Sequence, residues 1–344
     1  MDSYICEYIW LDGCNNLRSK IKVIKLDYHS SMTFNMLPEW NFDGSSTHQA
    51  NSDGNTEVIL KPVKMYTDKY KLISQSNACK EYIFVLCETY NIDGTPHSSN
   101  SRYHAKQIFD DYSDEIPWFG LEQEYFMFSN ILDLNCFSHF QSKSQSHYYC
   151  GNTLGNIQRR IMTEHLNCCI EMGLLISGTN AEVSPQQWEF QIGPCEGIEC
   201  GDQMNMARFF LERIAEKYNV FISYEPKPKE NINGSGCHIN FSTKNTRNNY
   251  ENSGLSYIYK YIENLRFCHS EMNTVYGENN YLRLTGNHET SSYDTFSYGI
   301  GTRNTSIRIP NETYNNQYGY LEDRRPGANI DPYKATSMLF IRAI

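Results

Sequence analysis

Three strand-length segments of this chain share one design, and it constrains the fold more than any other feature. They are Trp118-Phe119-Gly120-Leu121-Glu122-Gln123-Glu124-Tyr125-Phe126, Gln187-Trp188-Glu189-Phe190-Gln191-Ile192-Gly193-Pro194 and Gly234-Ser235-Gly236-Cys237-His238-Ile239-Asn240-Phe241-Ser242. Side chains of a strand alternate between its two faces. Glu122 and Glu124 therefore share a face. Trp188, Phe190 and Ile192 form an apolar face, with Glu189 and Gln191 opposite. Cys237, Ile239 and Phe241 oppose His238, Asn240 and Ser242, and the flanking glycines allow close backbone approach. Each segment alone reads as a half-exposed strand, because charges are usually solvated. Two carboxylates two residues apart repel each other, however, unless a cation lies between them.

Further carboxylates and several arginines fit the same scheme. Glu182 lies in Ser177-Gly178-Thr179-Asn180-Ala181-Glu182-Val183. Arg308 sits between Ile307 and Ile309. Tyr320-Leu321-Glu322-Asp323-Arg324-Arg325-Pro326 pairs two acids with two arginines, Arg283 precedes Leu284, and Arg303 lies five residues before Arg308. Surface ion pairing would explain the arginines singly, at little energetic value. Taken together, Glu122, Glu124, Glu182, Glu189, Glu322 and His238 are oxygen donors plus one imidazole. That set suits two or more Mg²⁺ or Mn²⁺ ions rather than a cysteine-rich zinc site. The arginines suit a triphosphate or a carboxylate. Metals and arginines around one pocket are the logic of phosphoryl transfer. No GxxxxGK[ST] loop is present, so a nucleotide would be held through metals and arginines.

The 344 residues suggest roughly two domains. Residues 1–97 read as a β-rich unit, with strands at Tyr4–Leu11, Ile21–Leu26, Glu57–Lys61 and Tyr82–Leu86, and Asp93–Asn100 reads as a linker. Beyond it, 98–344 mixes strands with helices expected at Asn156–Met172, Asp202–Asn219 (Asp202 as N-cap) and Leu255–Ser270. Forty acidic against thirty basic residues give a net charge of −10, which disfavours nucleic acid. The longest apolar stretch, around Tyr82–Cys87, is far short of a membrane span. The N-terminus lacks a secretory pattern, and the twelve cysteines contain no CxxC pair, so they read as buried hydrophobes of a reducing, cytoplasmic compartment. The glycosylation triplets at Asn233, Asn304 and Asn311 read as chance on the same ground.

At these residues the sequence resembles glutamine synthetase, in its eukaryotic-type (type II) branch. The matching strings are Pro38–Thr47, Trp118–Tyr125, Gly178–Val183, Gln187–Gly197, Asn233–His238, Arg283–Gly286, Ser306–Pro310 and Glu322–Pro326, in the family's order along nearly the whole chain. The resemblance implies an α+β fold: a β-grasp domain at 1–97, and a catalytic domain at 98–344 with a curved antiparallel sheet flanked by helices. It implies ligation of ammonia to L-glutamate with ATP through γ-glutamyl phosphate, and a homo-oligomer of pentameric rings, as a decamer, whose sites are completed by a neighbour.

By position, Glu124, Glu182 and Glu189 match the ligands of one metal, and Glu122, His238 and Glu322 those of another. Asn240, Ser242, Tyr320 and Arg308 match the nucleotide site together with Glu122, Glu189 and Arg303. Asn231, Ile232, Gly234, Arg283, Arg303 and Arg324 match the glutamate site. Asp43, with Ser46, matches the ammonium site, and Glu289 matches an acid of the flap that closes it.

The chain begins about where the family's first strand starts and stops within or just after the last helix, so weaker ring stacking is expected. Ile232 replaces an aromatic residue of familiar relatives, and Leu282 an arginine, both beside the glutamate or phosphate region. The alternatives are a γ-glutamyl ligase for another amine, a guanidino kinase, and a ring-forming structural homologue without activity. The intact Asp43-Gly44-Ser45-Ser46 string favours ammonia, the matching strings point away from the kinase, and six retained metal ligands argue against lost catalysis.

Overall fold

The computed structural model describes residues 1–28, 30–50, 54–73, 79–129, 149–151, 156–229, 232–250, 254–286 and 290–344. The chain forms two compact units. The first comprises Met1–His104 with Asn167–Gly173, and the second Ala105–Leu166 with Leu174–Ile344.

The first unit is built on a five-stranded sheet of β1 (Asp2–Leu11), β2 (Leu17–Leu26), β3 (Trp40–Asp43), β4 (Glu57–Thr67) and β5 (Cys79–Tyr90), in the order β2-β1-β5-β4-β3. β1 and β5 run parallel and the other neighbours antiparallel. Alternation along β1 sends Tyr4, Cys6, Tyr8 and Trp10 into a core with Leu60, Ile83, Val85 and Cys87. β4 is longer than expected. Proline cannot donate to a ladder, yet the strand continues past Pro62 because a bulge between Pro62 and Lys64 absorbs it.

The Asp93–Asn100 stretch is not a loose linker. His97 is buried and donates from Nε2 to the Gln49 carbonyl at 3.1 Å, while Asn100 donates to the Thr89 carbonyl at 2.9 Å. Helix α1 (Ser101–Asp111) begins at the next residue.

The second unit carries β6 (Trp118–Phe128), β7 (Ile176–Ala181), β8 (Gln187–Glu196), β9 (Phe221–Ser223), β10 (Cys237–Ser242), β11 (Tyr298–Ile300), β12 (Ile307–Ile309) and β13 (Leu321–Asp323). They form an eight-stranded sheet, β11-β12-β13-β10-β6-β8-β7, with β9 pairing β6. Its pairs are antiparallel except β11 with β12.

The helices are α2 (Asn156–Glu171), α3 (Glu199–Glu216), α4 (Gly254–Phe267), α5 (His269–Asn273), α6 (Asn311–Asn316) and α7 (Pro332–Ala343). α3 packs on β8 and α7 and is buried on nearly all sides. Two helix expectations are corrected. α3 starts at Glu199, so Asp202 is not its cap; it is buried and accepts a hydrogen bond from the Tyr333 hydroxyl at 2.7 Å. The expected Leu255–Ser270 helix breaks at Cys268, where the backbone leaves helical geometry.

The sheet register positions the chemistry. Glu122 stands opposite His238 on β10 and Gln191 on β8, and Glu124 opposite Glu189. Glu322 on β13 stands opposite Asn240 and Arg308. One face of the sheet is sealed by apolar side chains such as Leu121, Phe190, Ile239 and Ile307, all buried.

Candidate functional site

The polar side chains of these strands meet in one cavity of about 340 Å³. Its walls carry all six expected metal ligands together with Gly234, Arg283, Arg303, Arg308 and Arg324. The ligands fall into two triads, Glu122–His238–Glu322 and Glu124–Glu182–Glu189, with ligand atoms within 4.8 Å of one another in each. The donor chemistry fits hard divalent cations: five carboxylates and one imidazole, with no thiolate.

Burial pushes Glu189 up to about 9, and the charges of Glu122, Glu182 and Glu124 add to it. Burial and then Glu182 push Glu124 up to about 8, and burial also raises Glu182. Three carboxylates packed this way resist ionising together, and a divalent ion would relieve them. Their hydrogen-bond donors are neutral: Gly236 N to Glu124 at 2.8 Å, Asn180 to Glu182 at 2.9 Å, and Gln191 to Glu189.

The other triad is compensated. Arg308 and Arg324 donate to the two oxygens of Glu322 at 3.0 and 2.5 Å. Burial would raise Glu122, but hydrogen bonds from His238 and from Asn240 (2.9 Å), with the charge of Arg324, hold it below the usual carboxylate range. Burial and Arg324 lower His238, which leaves a neutral imidazole 3.5 Å from Glu122 and 3.6 Å from Glu322. The bland reading of the arginines as surface pairs fails: Arg325 and Asp323 pair at 2.6 Å with both side chains fully buried.

The glycines of the third segment make these approaches possible. A Cβ on Gly236 would lie 2.9 Å from His238 Nε2, and one on Gly234 would lie 2.4 Å from the Arg283 side chain. Arg283 is buried and donates through Nη2 to the carbonyls of Arg324, Arg325 and Pro326 at 3.1, 2.7 and 3.0 Å. Arg303 lies with its guanidinium 5.8 Å from the Tyr149 ring centre, and its carbonyl accepts from Arg324.

A second cavity of about 500 Å³ shares Glu122 and Gln191 with the first. Asn240, Ser242 and Tyr320 line it with apolar and aromatic groups including Trp118 and Ile192. Arg247 lies over the Trp118 ring at 4.0 Å and donates to Ser242 Oγ at 2.9 Å. An aromatic slot opening onto a metal-ligand cluster has the form of a nucleotide site.

Not every expected residue faces these cavities. Ile232 is buried against Phe126 and Phe128. Leu282 is exposed. Asn231 and Glu289 lie outside the described residues. Asp43 and Ser46 belong to the first unit, where both are exposed; the Asp43 carboxylate accepts from Ser45 N at 2.8 Å, and hydrogen bonds from Ser45 hold it ionised. Tyr149, Asn180, Gln191 and Thr290 line the first cavity without having been singled out as site residues. Gln191 was legible as the polar partner of Glu189 on β8. Nothing in the text around Tyr149 marked it.

Comparison with known proteins gives this geometry a family. A profile of the glutamine synthetase catalytic domain matches residues 98–344. The chain is 46% identical over 338 residues to glutamine synthetase of Saccharomyces cerevisiae, covering 97% of this chain and 88% of the relative. The chain belongs to the glutamine synthetase family. The Neurospora crassa glutamine synthetase is 45% identical over 342 residues, with 97% and 90% covered. A cryo-electron microscopy structure of Plasmodium falciparum glutamine synthetase superposes with a TM-score of 0.79 at 17% identity, over all of this chain and 71% of that one, and supports the fold. The eukaryotic-type resemblance and the α+β glutamine synthetase architecture both stand. Among the described residues no disulfide joins any cysteine, and no helix is long and apolar enough to cross a membrane.

Proposed function

We propose that the two connected cavities carry the ATP-dependent joining of ammonia to L-glutamate, giving L-glutamine, ADP and phosphate through γ-glutamyl phosphate. The observation that carries this reading is the pair of ligand triads sharing one cavity with four arginines, in a member of the glutamine synthetase family. Glutamate's γ-carboxylate is a poor electrophile, and phosphorylation gives it a leaving group.

The aromatic slot takes the adenosine end of ATP, with Asn240, Ser242 and Tyr320 on its wall, and directs the phosphates toward Glu122 and Glu189. Glu124, Glu182 and Glu189 hold one divalent ion, Mg²⁺ or Mn²⁺, and Glu122, His238 and Glu322 another. Bound there, such ions neutralise phosphate charge and align the transferred group. Arg308 and Arg303 contact the phosphates. Arg324 and Arg303 engage glutamate and its phosphorylated form, with Arg283, Gly234 and Asn231. Glu289 closes the site and excludes water.

Ammonium becomes a nucleophile only on losing a proton. Asp43, held ionised and with Ser46 beside it, attracts the cation and takes that proton. Asp43 comes from the β-grasp domain, 1–97, of a neighbouring subunit and meets the catalytic domain, 98–344. Assembly into pentameric rings, stacked as a decamer, in the cytoplasm completes the reading.

The test is glutamine formation by the purified protein, dependent on ATP, ammonia and a divalent ion, with one phosphate released per glutamine. ATP-dependent product with polyamines but not ammonia would overturn the substrate. Asp43→Asn should cripple synthesis from ammonia, while hydroxylamine, already neutral, partly restores turnover. Mixing Asp43→Asn chains with Glu189→Ala chains should restore some activity. No recovery after verified subunit exchange would exclude the shared site.

A further inference from the structure

Gln187 opens β8, is fully buried, and has no place yet in the chemistry. Its amide nitrogen lies 3.2 Å from Glu124 Oε2, 2.9 Å from the Gly234 carbonyl and 3.2 Å from Ser235 Oγ. A carboxylate and a carbonyl are both acceptors, so the nitrogen and not the oxygen must face them. The Gln187 oxygen accepts from Ser184 N at 3.4 Å. Ser184, also fully buried, accepts at Oγ from Asn233 N at 3.1 Å.

The turn Ser184–Gln187 joins Glu182 to the strand of Glu189, and backbone bonds close it between Glu182 and Gln187 and between Ser184 and Gln187. It therefore touches the all-carboxylate triad and the Asn233–Gly236 loop at once. On Glu124, the donors Gln187 and Gly236 N converge on Oε2, so one oxygen of the carboxylate is pinned by the protein. A pinned carboxylate presents its remaining oxygen in a fixed direction, which is how a neighbouring donor tunes a metal ligand.

We propose that Gln187 is a positioning residue that locks Glu124 for metal binding and holds the loop containing Gly234, so that metal occupancy and glutamate binding are coupled through one side chain. The glutamate half rests on the functional reading above; the metal half does not. Coupling of this kind is reciprocal: what strengthens one ligand strengthens the other equally.

The test compares Gln187→Met and Ser184→Ala with the wild-type full-length protein. Direct titration with Mn²⁺, followed by the electron paramagnetic resonance of the free ion, should show one class of site weakened about 10–100-fold in Gln187→Met. KM for glutamate should rise in the same variant while KM for ATP stays at the wild-type value. Ser184→Ala loses only the Asn233 contact, so its KM for glutamate should rise with Mn²⁺ binding unchanged. Gln187→Asn, one methylene shorter, carries the same test where the methionine variant does not fold. Wild-type Mn²⁺ affinity in a folded Gln187 variant overturns the proposal, as does an unchanged KM for glutamate. A wild-type protein that makes no glutamine refutes the functional reading instead, and the Mn²⁺ titration still decides the metal half.

Discussion

The two ligand triads share a cavity but differ in how their charge is balanced. Glu124, Glu182 and Glu189 are all buried, all pushed up, and hydrogen-bonded by neutral amides and backbone N–H groups. Glu122, His238 and Glu322 have countercharge in place, because Arg308 and Arg324 grip Glu322. The first set gains from any divalent ion that enters. In the second, an ion must compete with two guanidinium groups for the same oxygens. A polyphosphate that draws the arginines toward itself would remove the competition, so nucleotide and ion should enter this triad together. The difference lies in the neighbours, since both triads are dominated by carboxylates.

The largest effect should come from breaking the uncompensated set. On the proposed function, Glu189→Ala removes a metal ligand and leaves Glu124 and Glu182 facing each other. A lost metal contact worth several kcal/mol of transition-state stabilisation corresponds to roughly three decades in kcat. Circular dichroism should show the fold retained, and Mn²⁺ titration should show the tighter of two site classes lost. Wild-type turnover at saturating Mg²⁺ would mean that the triad is not a metal site.

Much of this site was legible because a strand has period two. Glu122 with Glu124, Glu189 with Gln191, and His238 with Asn240 each fall on one face by arithmetic, and the sheet register then aligns them. Partners distant in sequence were not legible. Asp202 carries the composition of a helix cap, yet its hydrogen-bond partner is Tyr333, 131 residues away. Ile232 was expected beside glutamate but is buried against Phe126 and Phe128, which lie on the far part of β6. The same holds for the arginines: the sequence sets Arg324 beside two acids and Arg308 between two isoleucines, and only the packing shows that both grip Glu322. β4 was cut short at Pro62 because a bulge cannot be read from a single strand.

A smaller effect should separate the triads. Arg308→Met removes one competitor for Glu322 and, on the proposed function, one phosphate contact. Without nucleotide, Mn²⁺ affinity at the Glu122 triad should rise, whereas the Glu124 triad should keep its affinity. With nucleotide, kcat should fall about 10–100-fold, because a charge-assisted contact of about 1.5–3 kcal/mol is lost. A fall in nucleotide-free Mn²⁺ binding would show that Arg308 supports the triad instead of competing with it.

The smallest effect is on stability, and its sign follows from the raised carboxylates. Glu189 and Glu124 move from the ordinary 4.5 to about 9 and about 8 in the folded chain. Between those limits the folded state holds protons that the unfolded state has released. Stability of the metal-free protein must then fall as pH rises through this window, and the slope ends above the folded values. Glu122 acts in the opposite sense and at the acid end: its lowered value gives stability that is lost as pH falls below 4.5. Divalent ions replace the protons on the raised set, so Mg²⁺ should raise the melting temperature, and by more at about pH 8 than at about pH 6. At roughly 2–4 °C per kcal/mol for a domain of 150–250 residues, the difference should be several degrees. Melts with Mg²⁺ and with a chelator, each taken across that range, read it directly. Glu189→Gln should flatten the metal-free pH slope, since its amide has no proton to lose. A slope as steep as that of the wild type would show that the buried carboxylate does not carry the pH dependence.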